Sequence, residues 1–165
     1  MINRVDRILA TTMGIVLCIS LAMAVPVVAD DESVVRAALM DPGKLAGIDV
    51  PAEEAFIDAE DVLDGNHRPR GEILYYGKEL IAEVYEDGPV TIRYDDPFLY
   101  DEFVTILSGK LILTASDGET QEFVAGDSFV IPKGFTGLWQ VLGNFRELVV
   151  IETKAYEAAY GAPSD

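Results

Sequence analysis

The chain has 165 residues, half of them hydrophobic, with 12 basic against 29 acidic residues and a formal net charge of −17. A chain of this length makes one domain and buries about two thirds of its unfolded surface, so it needs no staple to fold. So acidic a surface repels nucleic acid and anionic lipid, which excludes nucleic-acid binding, and the single cysteine, Cys18, leaves no disulfide to form.

Met1 to Ala29 reads as a secretory signal. Arg4 and Arg7 form a short basic start, an apolar run extends from Ile8 to Val28, and Val27-Val28-Ala29 closes it just before Asp30-Asp31-Glu32. The run approaches the length that spans a bilayer, so an uncleaved inner-membrane anchor is the alternative. Cys18 follows Leu17, where a lipoprotein signal wants a small residue, and this argues against lipidation. Cleavage removes Arg4, Arg7 and Asp6, two basic residues and one acidic, which takes the net charge from −17 to −18. The expected location is the periplasm or the medium, with membrane contact only through the N-terminal segment if it stays uncleaved.

Residues 30–70 read as an N-terminal arm. Asp31 to Met40 predicts a short helix, capped by Ser33 and stopped by Asp41-Pro42-Gly43. From Lys44 to Gly65 an extended segment follows, with an edge strand near Ala55 to Ile57. His67, the only histidine, sits in the one basic cluster, His67-Arg68-Pro69-Arg70, and reads as an exposed arm residue.

From Glu72 the pattern changes to short β-type runs punctuated by turns. Ile73 to Tyr76 is followed by Leu80 to Tyr85, which closes on Asp87-Gly88-Pro89. Val90 to Tyr94 stops at Asp95-Asp96-Pro97, and Glu102 to Leu107 at Ser108-Gly109. Leu111 to Ala115 runs into the hairpin signal Asp117-Gly118. Thr120 to Val124, Ser128 to Ile131, Gly137 to Leu142 and Glu147 to Thr153 complete the set. Strands at this spacing predict an all-β sandwich or barrel over residues 71–153. The tail, 154–165, is expected to form a short helix or to fray.

Two segments carry a family resemblance. In Asp95-Asp96-Pro97-Phe98-Leu99-Tyr100-Asp101-Glu102, the glutamate is followed after a six-residue gap by Gly109. In the second, Gly126 leads through five residues, Asp127 to Ile131, to Pro132 and then Gly134. These resemble the paired motifs of the cupin superfamily, and the wording from Tyr100 to Trp139 is similar to its ureidoglycine aminohydrolase-like branch. The resemblance implies a single cupin-type jelly-roll barrel. It places metal-binding histidines on Asp95, Pro97 and Gly137, so of the family's metal ligands only Glu102 remains. One carboxylate, or two with Asp95, does not complete a three- or four-ligand metal site, and no metal and no cofactor is expected.

Strand alternation then suggests a small-molecule cavity. With Glu102 inward, Val104 and Ile106 follow, while Phe103, Thr105 and Leu107 face outward. Trp139 and Val141 share the inward parity of position 137. Arg93 and Asp95 are read as entering the same cavity, with Arg93 pairing Glu102, and Tyr100 and Phe135 as rim residues. The expected ligand-binding set is therefore Arg93, Asp95, Tyr100, Glu102, Phe135 and Trp139. The residues favour a metal-free module that holds a small polar or sugar-like ligand. Two alternatives stay open: a metal-independent isomerase, epimerase or lyase using Glu102 as acid or base, and a homodimeric scaffold.

Overall fold

The structure, a computed structural model, describes residues 35–163. The expected signal segment, its cleavage site and the first part of the expected 31–40 helix lie outside the described residues. Residues 35–40 form no regular structure.

The first helix starts where a stop was expected. Asp41 accepts from Gly43 N at 2.7 Å and Lys44 N at 3.3 Å, and Pro42 takes the first helical position of α1 (Pro42–Leu45). A proline there has no donor to waste and its fixed φ suits the first turn, so Asp-Pro opens a helix as readily as it closes one.

Eight strands follow: β1 (Val62–Gly65), β2 (Arg70–Tyr76), β3 (Leu80–Asp87), β4 (Val90–Tyr94), β5 (Glu102–Ala115), β6 (Thr120–Val124), β7 (Ser128–Ile131) and β8 (Gly137–Glu152). A closing helix, α2, spans Thr153–Tyr160. All pairings are antiparallel; β1-β4-β8-β3-β2 form one path and β5 joins β6, β7 and β8. The all-β jelly-roll expectation is met. The edge strand expected near Ala55 to Ile57 is instead β1, within the segment read as an arm, beside an isolated bridge between Ala52 and Arg70.

Two pairs of expected strands fuse. β5 runs unbroken through Ser108-Gly109, and β8 runs unbroken from Gly137 to Glu152. Their ladder shifts register on both sides of Ser108, the signature of a bulge. Gly109 has φ 77°, and a Cβ there would lie 2.8 Å from Phe145 Cα, so the two long strands bend against each other at a residue without a side chain. Besides each other, each long strand thus serves two partners: one half of β8 pairs β4 and the other β3, while β5 pairs β7 and then β6.

Alternation delivers the core. Val104, Ile106, Leu111, Leu113, Trp139, Val141 and Phe145 from the long strands pack with Val90, Ile92 and Ile131. Burying each such large side chain contributes about 1.5–3 kcal/mol, and together they fix which face of each strand looks inward.

Candidate functional site

Three adjacent strands each contribute a glutamate to the interior. Glu147 stands on β8, in register with Tyr85 of β3 on one side and Ile106 of β5 on the other. One step along β3, Glu83 pairs Val149, and Glu102 occupies the start of β5. All three line a cavity of about 500 Å³. Glu147 is 2% exposed and Glu102 8%. Towards the rim, Glu53 reaches over Gly71, where the position of a Cβ would lie 2.6 Å from Glu53 Oε1 and 2.8 Å from Glu83 Oε1. Asp96 adds a further carboxylate to the lining, and no lysine, arginine or histidine lines it among the described residues.

The remaining wall is aromatic. Trp139 stacks on Phe98 with centroids 6.5 Å apart and planes 17° apart, and Tyr94 meets Trp139 edge-on at 6.2 Å. Tyr85, Tyr100 and, from α2, Tyr156 and Tyr160 bring hydroxyls to the cavity. Tyr100 donates to Tyr160 at 2.9 Å, and Tyr85 donates to Asp87 at 3.3 Å.

The motif loops hold this chamber together. Phe98 N donates to Phe135 O at 3.0 Å and Gly134 N to Phe98 O at 2.8 Å, while Lys133 N donates to Asp101 at 2.8 Å. The turn after Pro132 therefore fixes the loop that carries Phe98, Leu99 and Tyr100. Gly126 N and Asp127 O pair with the backbone of Ile106, which pins the other motif turn to β5.

Burial without a cation raises these acids. Desolvation first, and then the charge of Glu83, pushes Glu102 up to about 7. Desolvation, then Glu53, does the same for Glu83, also to about 7. Glu147 is held well above the usual carboxylate range by burial and then by Glu102 and Glu83. Its Oε2 is buried and has no hydrogen-bond partner among the described residues. Burial likewise pushes the Tyr85, Tyr94 and Tyr100 hydroxyls upward, so they stay protonated.

Of the residues expected from the sequence, Tyr100, Glu102 and Trp139 line the cavity. Trp139 also belongs to the core, serving both roles at once. Arg93 and Asp95 do not reach it. On β4 the inward residues are Val90, Ile92 and Tyr94, so Arg93 points the other way and binds Asp61 at 2.6 Å and Asp95 at 2.9 Å. The expected Arg93–Glu102 pair is not formed, and Asp95 has a side chain 75% exposed. Phe135 packs on Phe98 behind the wall instead of lining it. His67 is not an exposed arm residue: its side chain is 3% exposed, and Nδ1 donates to Asp87 Oδ2 at 2.7 Å.

The buried acids Glu83 and Glu147 are among the lining residues that sequence reasoning missed, with Glu53, Asp96 and the aromatics Tyr85, Tyr94 and Phe98. A signal existed for Glu147, which shares strand parity with Phe145, Val149 and Ile151 and so places an acid on an otherwise apolar face.

An imidazole-held metal does not fit the residues present. Of the positions that the resemblance gives to histidine, Asp95 is turned outward, Pro97 has no donor atom in its side chain, and Gly137 has no room for one. Gly137 has φ 146°, and a Cβ there would lie 2.0 Å from Thr114 O. Among the described residues, no three acid, histidine or cysteine side chains gather closely enough to hold one metal ion.

Residues 90–156 match the family described as the EutQ-like cupin domain. No curated protein matches the chain. Among solved structures, a Salmonella typhimurium LT2 protein described as ethanolamine utilization protein Q is 26% identical. That likeness covers 53% of this chain and 71% of that chain, with a TM-score of 0.47. The polyketide cyclase RemF of Streptomyces resistomycificus is 19% identical over 64% of this chain and 75% of that chain, with a TM-score of 0.50. A Pseudomonas syringae pv. tomato DC3000 protein of unknown function is 17% identical over 57% of this chain, with a TM-score of 0.51, and this chain spans only 40% of it. The last two likenesses concern the fold alone. The family match assigns residues 90–156 to an EutQ-like cupin domain, and the strand order and the two motif turns agree with a cupin-type jelly roll.

Proposed function

We propose that this cupin is exported and that its barrel cavity binds a small polar molecule with no metal ion at its centre. The observation that carries this reading is a cavity of about 500 Å³, within the usual range for small ligands, walled by aromatics and floored by carboxylates on three neighbouring strands. Gly137 supports the metal-free part, because the backbone there refuses any side chain. The export part rests on the Met1 to Ala29 sequence pattern. The activity of the ureidoglycine aminohydrolase-like branch is not carried over, since that family relies on a metal.

Elemental analysis and a thermal-shift screen of purified mature protein test the reading. Less than a tenth of an equivalent of manganese, iron or zinc is expected, with at least one compound raising the melting temperature through binding to the native state. Stoichiometric metal lost on Glu102→Gln would overturn it. N-terminal sequencing of periplasmic protein is expected to begin at Asp30; a chain retaining Met1 in the membrane would remove the export claim.

The acid–base reading keeps one specific support. Glu102, with a pKa of about 7, is poised near neutral pH, as a proton-transfer group requires. A ligand found in the screen that is consumed with time, and not by Glu102→Gln, would favour that enzyme.

A further inference from the structure

Resting on that reading, we propose that the molecule the cavity accepts is an organic cation of the amine or quaternary ammonium class.

The first ground is charge. Glu83, Glu102 and Glu147 share one half-open cavity, Glu53 and Asp96 line it with them, and no basic side chain among the described residues does. Buried carboxylates are ordinarily paired with a cation or supplied with donors. The second ground is independent of the acid count: Glu147 lines this cavity, and its Oε2 is buried with no hydrogen-bond partner among the described residues. A ligand carrying N–H donors or a positive charge completes it; an anion repels it.

The walls agree. Trp139, Phe98 and Tyr94 stand together in this wall, and the face of an aromatic ring attracts an ammonium group through the ring quadrupole. Tyr85 directs its hydroxyl hydrogen to Asp87, which leaves an oxygen lone pair free to accept a bond. A bare metal ion suits the space poorly. The cavity is an order of magnitude larger than an ion, and the acids do not converge on one point.

Binding must then be coupled to protons. The groups facing Glu147 are Glu102 from β5, Glu83 and Tyr85 from β3, and Tyr94 from β4, all acidic types. A cation favours their ionised forms, so it expels protons as it enters and binds more tightly as pH rises through about 7.

The test is calorimetry on the mature protein at pH 6 and pH 8. The probes are choline, 1,4-diaminobutane and butylamine, set against the neutral 3,3-dimethylbutan-1-ol, 1,4-butanediol and glucose. At least one amine is expected to bind at pH 8 tenfold or more tightly than its neutral counterpart. It should weaken at least tenfold at pH 6 and release protons to buffer. Glu147→Gln and, separately, Glu102→Gln should each cut the preference tenfold while leaving the circular dichroism spectrum intact. Binding of alcohols or glucose equal to or tighter than amines overturns the cation proposal yet leaves the small-ligand reading standing. Failure of every amine to bind, or stoichiometric uptake of manganese or zinc in their place, overturns the proposal, and metal uptake removes the metal-free reading as well.

Discussion

At Gly137 the chain makes a commitment that no rotamer change can undo. With φ 146° and the Thr114 carbonyl 2.0 Å from where a Cβ would sit, any substitution displaces β5 or β8. Gly137→His should lower stability by about 2 kcal/mol or more in denaturant melts and should not create a metal site. Asp87 is the other position where one side chain supports many groups. It accepts from His67 Nδ1 at 2.7 Å, Arg68 N at 3.0 Å, Gly88 N at 2.7 Å and the Tyr85 hydroxyl. Asp87→Ala orphans these donors in a buried setting, and a loss of about 3 kcal/mol is expected by urea unfolding. The role of His67 was hidden in the sequence because its partner is 20 residues away, and a basic cluster reads as solvated until the fold brings Asp87 beneath it.

Among the elements, β4, β6 and β7 have the bounds that their turn residues announce: Asp95-Asp96-Pro97, Ala125-Gly126-Asp127 and Pro132-Lys133-Gly134 each stop a strand where local chemistry says so. Ser108-Gly109 misleads for a physical reason. A glycine with positive φ serves a turn or a bulge equally well, and only the ladder with β8 decides between them. Gly109→Val, whose Cβ meets Phe145 Cα and Asn144 O, should cost about 1–3 kcal/mol and leave the other corners intact, as followed by amide hydrogen exchange along β5 and β8. The site was legible only in part for a related reason. Glu102 and Trp139 follow from motif and parity, whereas Glu83 and Glu147 join them through the order β3-β8-β5, and strand order is not written in spacing. Arg93 was misplaced because Asp95 lies beyond the end of β4, where alternation no longer fixes a direction.

Taken whole, the molecule combines a net charge of −17 with acids buried along the cavity of its barrel, and both act in the same direction with pH. Glu102 is protonated in the native state up to about 7, whereas in the unfolded chain it ionises near 4.5. Its contribution is therefore full below about pH 4.5 and declines as pH rises through 7, by about 3 kcal/mol in all. Glu83 follows over the same window, and Glu147 extends it upward. The ligand-free protein should melt at a higher temperature at pH 5 than at pH 7.5, and Glu102→Gln should flatten that slope while leaving the part due to surface repulsion. The central claim, a barrel organised around carboxyl groups in place of a metal, is reached most directly by carbon-13 NMR titration of the glutamate side chains in metal-stripped protein. Two or more carboxyls titrating at about 7 or above, assigned to Glu83, Glu102 or Glu147 by their Gln variants, is the predicted result. A spectrum in which every glutamate titrates near 4.5 would contradict it.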